Sequence, residues 1–211
     1  MQETGLTLKK FFVVFGIFVY FIVGYTVVGQ VLQPVALINL WTPIDAQIPY
    51  ISFFVLFYVA AYAYIVYPVF LITKTRLLYC AALRYIIVAS IAFVVFYFAP
   101  NEMQRPPYVE VKSFFDTLLN GVFSFDSRFN TFPSLHVAFS VTSFYLIKLQ
   151  KPKQIVFALM CTLLIIASTL FTRQHMLADV LGGYVLGEVI RFAIPWVPIE
   201  DAHSIGVNEA G

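Results

Sequence analysis

Charge is scarce in this sequence: 11% of the 211 residues are Asp, Glu, Lys or Arg, against 61% hydrophobic and 18% aromatic. That deficit excludes an ordinary soluble globular domain, where about a quarter of residues are charged, and no nucleic-acid partner is expected. Cysteine is scarce too. Cys80 and Cys161 both fall inside apolar runs, so no disulfide framework is indicated. Internal repeats, glycine-serine linkers and low-complexity tracts are absent, and a single membrane-embedded domain over 1–211 is expected.

What the chain has in abundance is apolar runs. Runs near the roughly 20 residues that cross a bilayer as a helix occur at 10–31, 50–72, 77–99, 134–150, 154–172 and 175–196. The first follows Lys9 and Lys10 but is long for a signal peptide and lacks a small-residue cleavage pattern, so a retained helix is expected. The expected fold is all-α: a polytopic bundle of six transmembrane helices. Lys9, Lys10, Lys74, Arg76, Lys148, Lys151, Lys153 and Arg191 then share one side. On the other side, Arg105, Lys112, Arg128 and Arg173 are interleaved with Glu102, Glu110, Asp116 and Asp126. Because short cytoplasmic loops collect Lys and Arg, both termini are predicted cytoplasmic.

Two outer connections have character of their own. "LQPVALINLWTPIDAQIPY" (32–50) suits a segment along the interface anchored by Trp41. Within 100–133, Val111, Phe114, Phe115, Leu118 and Leu119 follow a helical period, which predicts a short amphipathic helix on the outer surface. The intramembrane charges Arg84, Glu188 and Arg191 are expected to snorkel or pair near the cytoplasmic ends. "GYVLG" (183–187) permits close approach of a neighbouring helix.

Two short stretches carry chemistry. "FPSLH" (132–136) puts His136 at the outer start of the fourth run, and "FTRQHMLADVLGG" (171–183) puts His175 and Asp179 at the outer start of the sixth. A lone interfacial histidine is ordinary, and an Asp in an apolar span can be a packing staple. His175 and Asp179, however, are four apart and share one face of a helix. An Asp accepting one imidazole N–H would fix the tautomer and leave the other nitrogen free to attack. Arg173 would stand at a helix N-terminus that already favours an anion. His136, His175, Asp179 and Arg173 all reach the same membrane face, whereas His203, the third histidine, lies in the polar tail on the opposite side.

These residues resemble the type 2 phosphatidic acid phosphatase superfamily of membrane lipid phosphatases and phosphotransferases. "PSLH" (133–136) matches the Pro-Ser-x-His part of its signature, "STLFTRQHMLAD" (168–179) keeps the spacing of Ser168, His175 and Asp179, and "RP" (105–106) stands where the first part belongs. Phe98 replaces that part's Lys, and Thr169 replaces the Arg after Ser168. The compact forms resemble most the inositolphosphorylceramide synthase-like branch, with degenerate outer motifs. The resemblance implies that His175, oriented by Asp179, attacks phosphorus to form a phosphohistidine, while His136 gives a proton to the departing lipid oxygen and takes one from the acceptor. Arg173, then Arg105 or Arg128, would supply the lost charge, and Ser134 could add a hydroxyl donor. No metal and no cofactor is required: a zinc site wants three protein ligands, and Glu102, Glu110, Asp116 and Asp126 stand at no diagnostic spacing from the others.

The expected activity is hydrolysis of a lipid phosphate or pyrophosphate at the outer face, with a phospholipid or isoprenoid phosphate as substrate and the bilayer as surroundings. A phosphotransferase would use the same covalent step with a lipid or polyol alcohol in place of water. A transporter would carry its ionisable residues near the bilayer midplane, whereas here they cluster at one end. Oligomeric state is left open.

Overall fold

The computed structural model describes residues 2–31 and 37–196. His203 and the beginning of the 32–50 segment lie outside them. Eight α-helices follow in order: α1 (Gln2–Thr26, continued by a π-turn Val27–Val31), α2 (Pro43–Gln47), α3 (Val55–Leu71), α4 (Thr75–Phe98), α5 (Phe114–Phe125), α6 (Leu135–Gln150), α7 (Ile155–Phe171) and α8 (Leu177–Ala193). Short 3-10 turns, Ser52–Phe54 and Pro152–Gln154, lead into α3 and α7. No strand occurs among the described residues. Isolated bridges alone join Ile38, Asn101 and Asn130.

Among the described residues four helical runs are long and apolar enough to cross a membrane: Gly5–Gly29, Ser52–Leu71, Thr75–Phe98 and Pro152–Phe171. The chain therefore has the makings of an integral membrane protein. The other two expected spans are shorter. α6 has 16 residues and α8 has 17, about 24 and 26 Å at 1.5 Å per residue, against a hydrocarbon core of about 30 Å. The expected run 175–196 loses its beginning because α7 ends in a reversal. Arg173 takes a left-handed φ of 57°, and the amides of Gln174 and His175 both return to the Thr169 carbonyl at 3.0 Å. This is a left-handed helix cap carried by an arginine in place of the usual glycine.

α6 lies at the centre, packed against α3, α4, α7 and α8. Between helices in lipid, packing and hydrogen bonds replace the hydrophobic drive of water, and small residues serve the first. A methyl on Gly183 of α8 would run into the Ser134 carbonyl, and one on Gly187 into Val141. Hydrogen bonds serve the second. The Tyr85 hydroxyl meets Ser143 Oγ at 2.8 Å, and the Tyr64 hydroxyl donates to the Ala158 carbonyl at 3.0 Å, bonds worth about 0.6–2 kcal/mol each.

Arg84 departs from expectation. It is 1% exposed, with its guanidinium donating to the carbonyls of Ile194 and Arg191 while standing 3.5 Å over the Trp196 ring. It caps the end of α8 from inside and does not snorkel, because the last carbonyls of a helix offer a buried cation the acceptors it needs. Glu188 and Arg191 do pair, at 2.8 Å.

The amphipathic helix in the 100–133 connection is α5. Ser113 caps it, accepting from the Asp116 amide at 3.3 Å and donating to Asp116 Oδ2 at 2.7 Å. Its Leu119 is buried while Phe114 and Phe125 face outward.

Candidate active site

Asp179 is the anchor of the site. It is fully buried, and three groups approach its carboxylate: Asn101 Nδ2 donates to Oδ1 at 3.2 Å, the Met176 amide donates to Oδ2 at 3.0 Å, and His175 Nδ1 stands 3.2 Å from Oδ2. The expected pairing of His175 with Asp179 is present, but its geometry is not that of two residues on one helical face. α8 begins only at Leu177, so His175 precedes the helix. Asp179, in the first turn, reaches back to the Met176 amide as a capping residue and meets His175 on the way. With Nδ1 so engaged, Nε2 is the nitrogen left for other work.

His136 lies in the first turn of α6, held there by its neighbour. The Ser134 amide donates to the Asp179 carbonyl at 2.9 Å, tying the starts of α6 and α8 together. The Ser134 side chain caps α6 through the Val137 amide at 3.4 Å. The His136 ring stacks on Tyr58 at 4.1 Å and stands 6.1 Å from the His175 ring, centre to centre. Its Nε2 is buried and has no hydrogen-bond partner. Both histidines line a chamber of about 470 Å³ whose wall includes Tyr25, Tyr58, Tyr62, Asp126 and Gln174.

The three arginines stand otherwise than expected, since none lines the chamber. Arg173, favoured from the sequence, donates to the carbonyls of Asp45 at 3.1 Å and Ile48 at 2.6 Å, because the left-handed turn at its own position sends it toward α2 and the residue that follows it. Arg105 is buried and one residue removed from the chamber, donating to Gln174 Oε1 and to the Asp126 carbonyl. Arg128 supports it by donating to the Arg105 carbonyl at 2.5 Å. Ser134 is fully buried as a cap and is not part of the chamber wall.

The N-terminus of α8 is also not open to an anion in the way the sequence suggests. Asp45 Oδ1 already accepts from the Leu177 amide at 2.7 Å, and the amide and hydroxyl of Thr42 hold its Oδ2 at 2.9 and 2.6 Å. Burial pushes the Asp45 carboxyl up, but the Leu177 amide and the Thr42 hydroxyl outweigh it and hold it below the usual carboxylate range. Asp45 and Asp179 thus occupy the first amides of the helix, the place where a free anion would otherwise bind.

Three further residues stand at the site: Asn101 and Gln174, which the sequence did not single out, and Asp126, weighed there only as a metal ligand. Asn101 crosslinks three segments, accepting from the Leu40 amide at 3.2 Å and donating to Thr131 at 3.0 Å as well as to Asp179. Asp126 faces the chamber and accepts from the Tyr58 hydroxyl at 2.7 Å. Burial pushes its carboxyl up, with the Tyr58 hydroxyl and Arg105 pulling the other way. Gln174 is 3% exposed, and its Nε2 has no partner. Its position beside His175 was the one available signal.

A family model described as the PAP2 superfamily matches residues 73–200. The chain belongs to the PAP2 superfamily. No curated protein and no solved structure gives a significant match. Members of the PAP2 superfamily are phosphatases or phosphotransferases, which supports an enzyme of that type. The match takes in α4 through α8, with both histidines and Asp179, and leaves out α1 and α3. The aromatic wall contributed by Tyr25, Tyr58 and Tyr62 therefore lies outside the part of the chain that identifies it as PAP2.

Proposed function

We propose that the chain is a lipid phosphatase, a single membrane domain over 1–211 with six crossing helices, that hydrolyses a lipid phosphate or pyrophosphate at the extracytoplasmic face. The observation that carries this reading is the pair of imidazoles 6.1 Å apart across one chamber, one buried and braced through Nδ1 by Asp179 and the other with a buried, unpartnered Nε2.

In the first half-reaction His175 Nε2 attacks phosphorus, the P–O bond to the lipid breaks, and His136 delivers a proton to the departing alkoxide. The imidazole becomes a phosphohistidine whose positive character Asp179 offsets. In the second half-reaction His136 takes a proton from water as it attacks phosphorus, the P–N bond breaks, and His175 is restored. No metal enters the scheme.

A loose phosphoryl-transfer transition state asks chiefly for donors around its equatorial oxygens. Gln174 Nε2, braced by Arg105 at its other end, is such a donor, and its missing hydrogen bond is one a phosphate oxygen would supply. Arg105 adds charge from behind, supported by Arg128. Arg173 and Ser134 serve the site by shaping the turns that carry His175 and His136. Gln174→Met, which keeps the length and removes the donor, should lower kcat/KM by about a hundredfold, in the range seen for one oxyanion donor. An unchanged value would reduce Gln174 to packing.

Phe98 is 77% exposed, and the Thr169 hydroxyl is turned onto the Ile166 carbonyl of its own helix. The chain thus lacks a cation at both positions where the superfamily signature has one. On this ground it falls nearest the inositolphosphorylceramide synthase-like branch, and the second reading is transfer of the phospho-headgroup to a lipid or polyol alcohol. The test is phosphate release by the purified protein from phosphatidate, phosphatidylglycerophosphate, a polyprenyl pyrophosphate and a phosphoinositide. Free phosphate with water alone supports hydrolysis. Product only when a ceramide or polyol is added overturns it in favour of transfer.

The basic residues at the α1 start and between α3 and α4 and between α6 and α7 support cytoplasmic termini. A cysteine introduced between residues 106 and 112 should then react with an impermeant thiol reagent on intact cells, and one at Lys151 only after permeabilisation. The opposite pattern would move the site to the cytoplasm.

A further inference from the structure

A second cavity, of about 260 Å³, opens between α1, α3, α4 and α6, and it is joined to the chamber: Phe18, Phe21, Tyr62, Leu135 and His136 line both. Its character differs from the chamber's. Beyond His136 its wall is aliphatic and aromatic, with Val14 and Ile17 from α1 and Val69 from α3. Tyr85 also contributes, and its hydroxyl is already engaged by Ser143 and the Ile65 carbonyl. The remaining polar groups of this second space are the Tyr62 hydroxyl and the histidine at its mouth, both shared with the chamber.

We infer that this groove holds one hydrocarbon chain of the substrate, so that the protein acts on the phosphate or pyrophosphate of a single-chain alcohol, linear or isoprenoid, with α1 as the wall that measures the chain. The inference rests on the lipid-phosphatase reading above. Two observations support it. The groove meets the chamber at His136, the residue assigned to protonate the leaving oxygen, which is where the alkyl group of a phosphate ester begins. Its volume is also that of one chain. At about 30 Å³ per methylene, close to the share of a water molecule in the liquid, it takes roughly nine carbons, and a second acyl chain would have no place inside.

The chain-length profile of the protein in nanodiscs tests this with n-alkyl phosphates from about four to about sixteen carbons, with farnesyl phosphate, and with phosphatidate beside its single-chain lyso form. For the wild type, kcat/KM should climb about threefold to fourfold per added methylene and level off near nine carbons. Farnesyl phosphate against the alkyl series shows whether the groove prefers a branched or a straight chain. Ile17→Trp should move the plateau down by several carbons, and Ile17→Ala should move it up. The same profile read as thermal shifts with non-hydrolysable alkyl phosphonates reports binding alone, so it stands even if no phosphate is released. Phosphate release from none of the esters, with a normal phosphonate profile, would sink the lipid-phosphatase reading and leave the groove standing. A profile identical in wild type and both Ile17 variants, or a preference for phosphatidate over its lyso form, would overturn the groove.

Discussion

His175→Ala is expected to abolish turnover, by about ten-thousandfold or more, and with it any acid-labile phosphate on the protein. Among the chamber-lining residues only His175 combines a buried imidazole with a carboxylate at 3.2 Å on its other nitrogen, and a nucleophile that forms a covalent intermediate has no partial substitute. Trapping with a radiolabelled substrate followed by acid treatment gives the decisive reading. Wild-type protein should carry label that acid releases and alkali preserves, and the variant should carry none. Label retained in the variant would move the covalent step to another residue.

The companion substitution Asp179→Asn is a less clean probe here than the spacing of the two residues suggests. Asp179 accepts from Asn101 on one oxygen and from Met176 on the other, so an amide must turn its own NH2 toward a donor on one side. It leaves a buried group unsatisfied at a cost of about 1–3 kcal/mol, besides losing the negative charge opposite His175. The variant should therefore lose thermal stability as well as rate. A melting temperature equal to the wild type's would mean that the Asn101 contact contributes little.

How much of this could be read from the chain depends on the range of each interaction. Four of the apolar runs and the amphipathic period of α5 are local patterns and were legible, and the two stretches that hold His136, His175 and Asp179 meet around one chamber. Even so, the agreement over His175 and Asp179 came by a different route, since a helical face was expected and a capping turn brings them together. The turn depends on Arg173 entering the left-handed region, which sequence favours for glycine. Asp45 on the Leu177 amide spans 132 residues, and Asn101 on Asp179 spans 78. Nothing near either residue in the chain marks its partner. The arginines obey the same limit: a guanidinium near a site in sequence finds whichever carbonyls the folded loops present, and for Arg173 those belong to residues 45 and 48.

The second large effect concerns His136 and is selective, which makes it the sharper test of mechanism. If this residue donates the proton, His136→Gln should slow phosphohistidine formation with a lipid alkoxide leaving group by about 10²–10⁴-fold and with an activated aryl phosphate by little, because a phenolate leaves unassisted. The glutamine is chosen over alanine because the imidazole lies 4.1 Å from the Tyr58 ring in a stacked pair, and emptying that space would shift Tyr58 and, through its hydroxyl, Asp126. Pre-steady-state kinetics with the aryl ester separates the two halves of the cycle. The burst of phenol should survive, since phosphohistidine formation no longer needs an acid, while the following steady rate falls, since water still needs His136 as its base. Loss of the burst together with the steady rate would show that His136 binds or positions phosphate, and the proton would then have to come from another group facing the chamber, of which Asp126, with its carboxyl pushed up by burial, is the first to examine.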